Sequence, residues 1–245
     1  MKENRLVIII PIYNKVPLDT EKASLVQFSK VYHWTWDVVL ICPDDFTKED
    51  IDLYIKLLNP YSSYDITYRH YSRDYFKSPS TYSQLLKLNS FYLEFYNYEY
   101  MLIFQTDCWA LNFDKLRVWM DEDFDYVGAP ILTNKIRWLS APCCGNGGLS
   151  LRKISSFVKY TSDKRLIDEL NKNEDYYNYE DIFFCQGISQ HMYIDMPSWE
   201  DCSMFAWDMN PDILWEKNQK ILPDIGIHAW TKNKLFWRNK IGIPE

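Results

Sequence analysis

Two clusters of residues have the types and spacing for chemistry. Asp107 follows the apolar run "YEYMLI" in the stretch "FQTDCW", directly after Gln105 and Thr106. A carboxylate at a strand end is either a turn former or a hard oxygen ligand, of the kind that holds Mg2+ or Mn2+ against a diphosphate. Glu180 and Asp181 in "YEDIFF" stand immediately before an apolar run, where an acid at a helix N-terminus caps free amides and is favoured by the helix dipole. Capping explains one of these acids, but hardly two. Between the clusters, "GNGG" (Gly145 to Gly148) permits close backbone approach, so it either shapes a hairpin or bulge or turns its amides toward a phosphate or sugar.

The elements that must position these groups are legible as an alternation. "LVIII" (Leu6 to Ile10) is a β-branched run closed by Pro11, the pattern of a strand buried on both faces. A helix over "LDTEKASLVQFSKVY" follows, with Asp19 or Thr20 as its N-cap, and then a strand over "DVVLIC". Thr47 and Asp50 stand in capping-box spacing ahead of Ile51, Tyr54, Ile55 and Leu58, which predicts a helix over Thr47 to Leu58. A short strand "DITYRH" comes next, and from Pro79 one helix with Leu85, Leu88, Tyr92 and Phe95 on a single stripe leads to the strand "YMLIF". The second half is less regular, with a strand at "DYVGAPIL", a Gly-rich turn entering a strand at "APCCGNGGLSLRK" and a helix at "SDKRLIDELNK". Alternating strands and helices imply a mostly parallel sheet flanked by helices, and ligands bind outside the carboxyl ends of such strands. Gln105, Thr106 and Asp107 fall at that edge.

Composition narrows the function. The 245 residues are 47% hydrophobic and 25% charged, ordinary values for a globular chain that buries most of its apolar surface, while the 17% aromatic content is high. A formal charge of −7 argues against nucleic acid as a partner. The six cysteines, without a CxxC pair, fit buried thiols in a reducing compartment. The apolar run before Pro11 is only five residues long, too short for a signal segment, so a cytoplasmic location is expected. "HAWTKNKLFWRNK" mixes Trp230, Leu235, Phe236 and Trp237 with cations; such a segment lies at the inner face of a membrane, or packs its rings in the core and turns Lys232 or Lys234 toward a diphosphate.

The motifs "YMLIFQTDCW", "DYVGAPI", "GNGGLSLRK", "YEDIFF" and "GIHAW", in that order, resemble a bacterial and fungal family of candidate glycosyltransferases catalogued as a domain of unknown function, and "VIIIPIYN" resembles the opening strand of GT-A-fold glycosyltransferases. The resemblance implies an α/β fold of GT-A type, related to the Rossmann fold, as a single domain over 1–245. Residues 1–107 would form its nucleotide-sugar-binding half and 108–245 its acceptor-binding and catalytic half. It implies transfer of a sugar from a nucleotide-sugar co-substrate to a hydroxyl of a glycan or lipid-linked saccharide in polysaccharide biosynthesis, with inversion.

The roles it implies are specific. Asp107 matches the last acid of the DxD metal motif, Gln105 replaces the first, and His228 of "GIHAW" completes a site for Mn2+ or Mg2+. Asp181 matches the general base, with Glu180 second. Gly145, Asn146, Gly147 and Gly148 border the sugars, Asn146 offering a hydrogen bond to a hydroxyl. Pro11, Tyr13 and Asn14 would hold the nucleotide, and Asp44 and Asp45 its base or ribose. Trp138, Trp199 and Trp207 are candidate stacking surfaces, and Arg152 an anchor for the loop or the diphosphate. A non-catalytic binding relic is the alternative that the missing first acid supports; a nucleotidyltransferase would want a Gly-rich loop that "IPIYNKVPLD" lacks.

Overall fold

The computed structural model describes residues 5–33, 35–61, 64–132 and 143–243. In chain order the first half contains β1 (Leu6–Pro11), α1 (Asp19–Val31), β2 (Asp37–Pro43), α2 (Lys48–Leu58), β3 (Ile66–Tyr71), α3 (Pro79–Leu85), α4 (Asn89–Leu93) and β4 (Tyr100–Phe104). Then come β5 (Trp109–Ala110), α5 (Leu116–Asp121), β6 (Tyr126–Ile131), β7 (Cys143–Lys153), α6 (Ile154–Tyr160), α7 (Lys164–Leu170), α8 (Glu174–Asn178) and α9 (Glu180–Ile182). The last are α10 (Trp199–Phe205), β8 (Ala206–Trp207), α11 (Pro211–Lys217), β9 (Gly226–Ile227) and α12 (Lys234–Ile241).

Six strands form the main sheet in the order β3-β2-β1-β4-β7-β6. The first four are mutually parallel, and β7 runs antiparallel to both β4 and β6. Side chains of the central strands alternate between two cores, as the pleat requires: Leu6, Ile8 and Ile10 pack under α1, α2 and α5, whereas Val7 and Ile9 pack under α3, α4 and α6. This is the α/β architecture expected of buried parallel strands. A second sheet, β5-β9-β8, closes one end over a cluster containing Trp207, Trp230 and Trp237.

Local signals held where their partners are local. Thr47 caps α2, its hydroxyl accepting from the Asp50 amide at 3.3 Å while Asp50 accepts from the Thr47 amide at 2.9 Å. Three details differ from expectation. The cap of α1 is Leu18, not Asp19 or Thr20: Glu21 folds back to accept the Leu18 amide at 2.7 Å and is held there by the Thr106 hydroxyl at 2.8 Å. The long helix from Pro79 is broken into α3 and α4, because Lys87 turns inward and its ammonium takes the carbonyls of Tyr176 and Tyr177 and the Asn171 amide oxygen. "GNGG" is no turn but lies within β7, with register shifts against β6 at Gly128/Ala129 and Ala129/Ile131.

The C-terminal segment packs its rings inward, Trp230 and Trp237 being buried, and Lys234 stands over the Trp230 ring at 5.6 Å. No helix among the described residues is long and apolar enough to cross a membrane.

Candidate functional site

A cleft of about 590 Å³ opens at the carboxyl ends of β1 and β4. The chain leaves β4 in a tight turn, the Gln105 amide donating to the Gly148 carbonyl at 3.0 Å and the Cys108 amide to the Gln105 carbonyl at 2.9 Å. That turn sets Gln105, Thr106 and Asp107 on the cleft wall. The strand therefore ends in "QTD" because its next three residues face the cleft.

His228 follows β9 and enters the cleft against Gly148, where any Cβ would overlap its Nε2. Nε2 lies 3.1 Å from Gln105 Oε1 and 3.4 Å from Asp107 Oδ1, while Nδ1 lies 3.5 Å from Asp208 Oδ1. Burial disfavours the imidazolium, but Asp107 first and then Asp208 outweigh it and raise His228 to about 10. Burial also opposes ionisation of Asp107, and His228 with Lys232 overcomes it, holding that carboxyl below its ordinary value.

Asp107 Oδ1, Asp208 Oδ1 and His228 Nδ1 are buried without a hydrogen-bond partner. Two buried carboxylate oxygens on either side of one imidazole need positive charge between them, which the imidazolium or a bound cation supplies. Asp107, Cys108 and His228 present ligand atoms within 4.8 Å of one another. A hard divalent cation fits the oxygens and the ring nitrogen, with Asp208 behind the imidazole in the orienting position. The Cys108 thiol is pushed far up by burial and donates to the Gly148 carbonyl at 3.3 Å, and its soft sulfur is a poor match for a hard ion.

The neighbouring glycine meets the other carboxylates. The Gly147 amide donates to Asp181 Oδ2 at 3.3 Å, the Ile182 amide to Oδ1 at 2.8 Å, and a Cβ on Gly147 would overlap Glu180 Oε1. Burial, then the charge of Glu180, raises Asp181 from the ordinary value to about 7, against the pull of those two amides and Arg152. Glu180 itself is taken: Arg152 donates to it at 2.8 Å and the Ser83 hydroxyl at 3.2 Å. Arg152 is wholly buried, and its other donors go to the Tyr92 and Ser150 hydroxyls, each at 3.0 Å. Both acids line the cleft, and of the two Glu180 is the one ion-paired with Arg152.

Residues 65–228 match the family described as "Protein of unknown function (DUF5672)". The chain belongs to that family. No curated protein matches it in sequence. Its structure resembles the galactosyltransferase LgtC solved with donor and acceptor sugar analogues, at 13% identity and a TM-score of 0.57 over 96% of this chain and 100% of that one. It also resembles core-mannan synthase A (CmsA/Ktr4) from Aspergillus fumigatus in its Mn/GDP form, at 10% identity and a TM-score of 0.51 over 75% of this chain and 69% of that one. At these identities the likeness is one of fold, and the fold of this DUF5672 chain is GT-A.

The cleft of this DUF5672 chain brings together Tyr13, Gln105, Thr106, Asp107, Asn146, Gly147, Gly148, Glu180, Asp181 and His228. Others named from the sequence lie elsewhere. Pro11 is buried at the end of β1, and Asn14 is exposed and offers its carbonyl to the Tyr54 hydroxyl at 2.6 Å. Asp45 is paired with Arg73, Asp44 caps the Arg73 amide at 3.1 Å, and neither lines the cleft. Gly145 is packed under Cys185 with φ at +142°, a conformation that favours glycine. Trp207 is buried and carries no open face, Trp199 is covered by the Lys217 ammonium at 3.9 Å, and Trp138 lies outside the described residues.

Asp208 was visible in sequence only as one acid in a run without Lys or Arg from Gly187 to Glu216. Its partners, Asn146 at 3.0 Å and His228, are 62 and 20 residues away, so no local spacing marks it. Tyr82, Ser83 and Phe76 also line the cleft without any motif to announce them.

Proposed function

We propose that this protein is a glycosyltransferase that moves a sugar from a nucleoside-diphosphate donor to a hydroxyl of a glycan or lipid-linked saccharide. One observation carries the reading: the Asp107–His228 group, against Gly148, and Asp181, a carboxyl raised to about 7 and bonded to the Gly147 amide, line one cleft. Asp107, His228 and the Gln105 amide oxygen would hold Mn2+ or Mg2+, with Asp208 orienting the imidazole. A divalent ion there would neutralise the diphosphate leaving group. Lys232, on the same wall and 3.9 Å from Asp208, adds a fixed positive charge beside it.

In this reading Asp181 accepts the acceptor hydroxyl's proton as that oxygen bonds to the anomeric carbon and the bond to the diphosphate oxygen breaks. A group with a pKa near working pH is suited to this exchange. Direct displacement of this kind inverts the anomeric centre. Glu180, named second as base, is assigned instead to holding Arg152, because it is ion-paired with that buried guanidinium at 2.8 Å. The gap left by the absent first acid of DxD is filled by an amide oxygen, a neutral ligand that lowers the charge of the site without removing it.

The test is release of nucleoside diphosphate from UDP-, GDP-, CDP- and dTDP-sugars with Mn2+ and glycan acceptors, with the product anomer read by NMR. One nucleotide class should turn over, with inversion. Retention of configuration would remove Asp181 from the base role, and no release from any donor would contradict the transferase reading.

A further inference from the structure

The segment that carries Glu180 and Asp181 is held by one face of α3. Ser80, Ser83, Gln84 and Lys87 stand at i, i+3, i+4 and i+7, the spacing of a single helical stripe, and each of them bonds within residues 176–180. The Ser80 hydroxyl donates to Asn178 Oδ1 at 2.8 Å, and the Ser83 hydroxyl lies 3.0 Å from the Asn178 carbonyl and accepts the Glu180 amide at 3.3 Å. Gln84 donates to the Tyr177 carbonyl. Lys87, just past the end of α3, donates to the carbonyls of Tyr176 and Tyr177 and to Asn171 Oδ1. The carbonyls of Tyr176, Tyr177 and Asn178 belong to the last turn of α8, where a helix has no amides of its own left to satisfy them. α3 supplies those donors in consecutive order, and the chain runs from there directly into Glu180 and Asp181.

Lys87 is the member of the stripe that carries charge. It is 2% exposed, its ammonium has three acceptors for its three N–H groups, and it stands over the Phe183 ring at 4.8 Å and the Tyr177 ring at 5.8 Å. Burial lowers it to about 8, against the pull of Glu180 first and then Asp181. Lys164 and Asp168 of α7, opposite in sign to one another, share with it and Gln84 the lining of a second cleft of about 480 Å³. Asp181 is faced in addition by Glu180 of its own element, by Arg152 of β7, and by the Cys143, Cys185 and Tyr126 groups, which burial keeps protonated. A buried cation so placed acts on Asp181 twice: it fixes the backbone from which the carboxyl projects, and its charge favours the carboxylate.

We infer that Lys87 is a positioning residue for Asp181, acting with the α3 stripe on residues 176–181. The inference rests on the transferase reading, in which Asp181 is the base, and deepens it. Lys87 itself lies outside the cleft lining, so its effect reaches the reaction through Asp181 and not through a substrate.

The test follows the Asp181 carboxyl by its 13C resonance, assigned from its loss in Asp181→Asn, in the wild type, Lys87→Gln and Lys87→Arg. The wild-type carboxyl should titrate at about 7. Lys87→Gln should weaken its ionisation by about threefold or more, moving the midpoint up, because a cation that favoured the carboxylate is gone. The rising limb of kcat/KM should move with it, and kcat should fall by about ten- to hundredfold with the donor KM unchanged. Lys87→Arg should return the midpoint toward the wild-type value. Loss of packing alone would leave Asp181 better hydrated and bring its midpoint down, so an unchanged or lower midpoint in Lys87→Gln overturns the inference. If Lys87→Gln does not fold, Gln84→Ala decides by hydrogen exchange. The Gly147 and Ile182 amides, which donate to Asp181, should then exchange about tenfold faster while kcat falls; unaltered exchange overturns the inference. A wild type that turns over no donor contradicts the transferase alone, because the carboxyl titration still reads the effect of Lys87 on Asp181.

Discussion

Asp181→Asn lowers kcat by about 100- to 10,000-fold while the protein stays folded, the loss expected when a general base is replaced by its neutral isostere. The accompanying pH profile separates this from a packing defect. Because Asp181 is raised to about 7, kcat/KM of the wild type should rise with pH through that value, and the rising limb should vanish in the residual activity of the Asn variant. Stability should move the other way. A carboxyl whose folded value lies above its unfolded one stabilises the native state at low pH, and that contribution is lost as pH climbs from the ordinary carboxylate range through about 7. The Asn variant carries no such charge, so at pH 8 calorimetry should find its Tm equal to or above that of the wild type. A variant that is inactive and also strongly destabilised at pH 8 would make Asp181 a structural residue.

Arg152→Ala, in contrast, should destabilise the fold by about 3–5 kcal/mol, the cost of stranding a buried charge. The guanidinium is wholly buried and joins Glu180, Tyr92 and Ser150, and it also stands over the Tyr126 and Phe157 rings at 5.4 Å each. Its removal leaves Glu180 buried beside Asp181 without its ion-pair partner. For a chain of this length the loss corresponds to a fall in Tm of about 6–20 °C. Urea denaturation of Arg152→Ala, Glu180→Gln and the double variant checks the cause: the double variant should be more stable than Arg152→Ala, because the stranded charge is gone. A fall in Tm of about a degree or less for Arg152→Ala would show that the pair does not hold the site.

The fold was legible where one strand or one helix carries its own signal. β1, β2 and β4 read as buried strands because both faces of each are apolar, and the Thr47–Asp50 cap reads from three residues' spacing. The break between α3 and α4 did not read, because its cause is Lys87 bonding to carbonyls about ninety residues ahead. The same distinction runs through the site. Asp107, Asp181 and His228 sit in motifs and line the cleft, whereas Asp208 and Tyr82 are marked only by what folding brings beside them. Asp44 and Asp45 show the converse: their place after β2 reads from the sequence, but their partner, Arg73, lies in the segment that follows β3, and the pair is outside the cleft lining.

The claim on which the rest depends is that Asp107 and His228 hold a divalent ion against a nucleoside diphosphate. Thermal unfolding of the wild type and of Asp107→Ala, with UDP, GDP, CDP or dTDP and with or without Mn2+, tests it directly, since a ligand that binds the native state raises the midpoint by mass action. One diphosphate should raise the wild-type Tm only when Mn2+ is present, and the rise should be lost in Asp107→Ala. A rise that is the same without Mn2+, or that survives Asp107→Ala, would contradict the metal site, and no rise with any diphosphate would contradict the account as a whole.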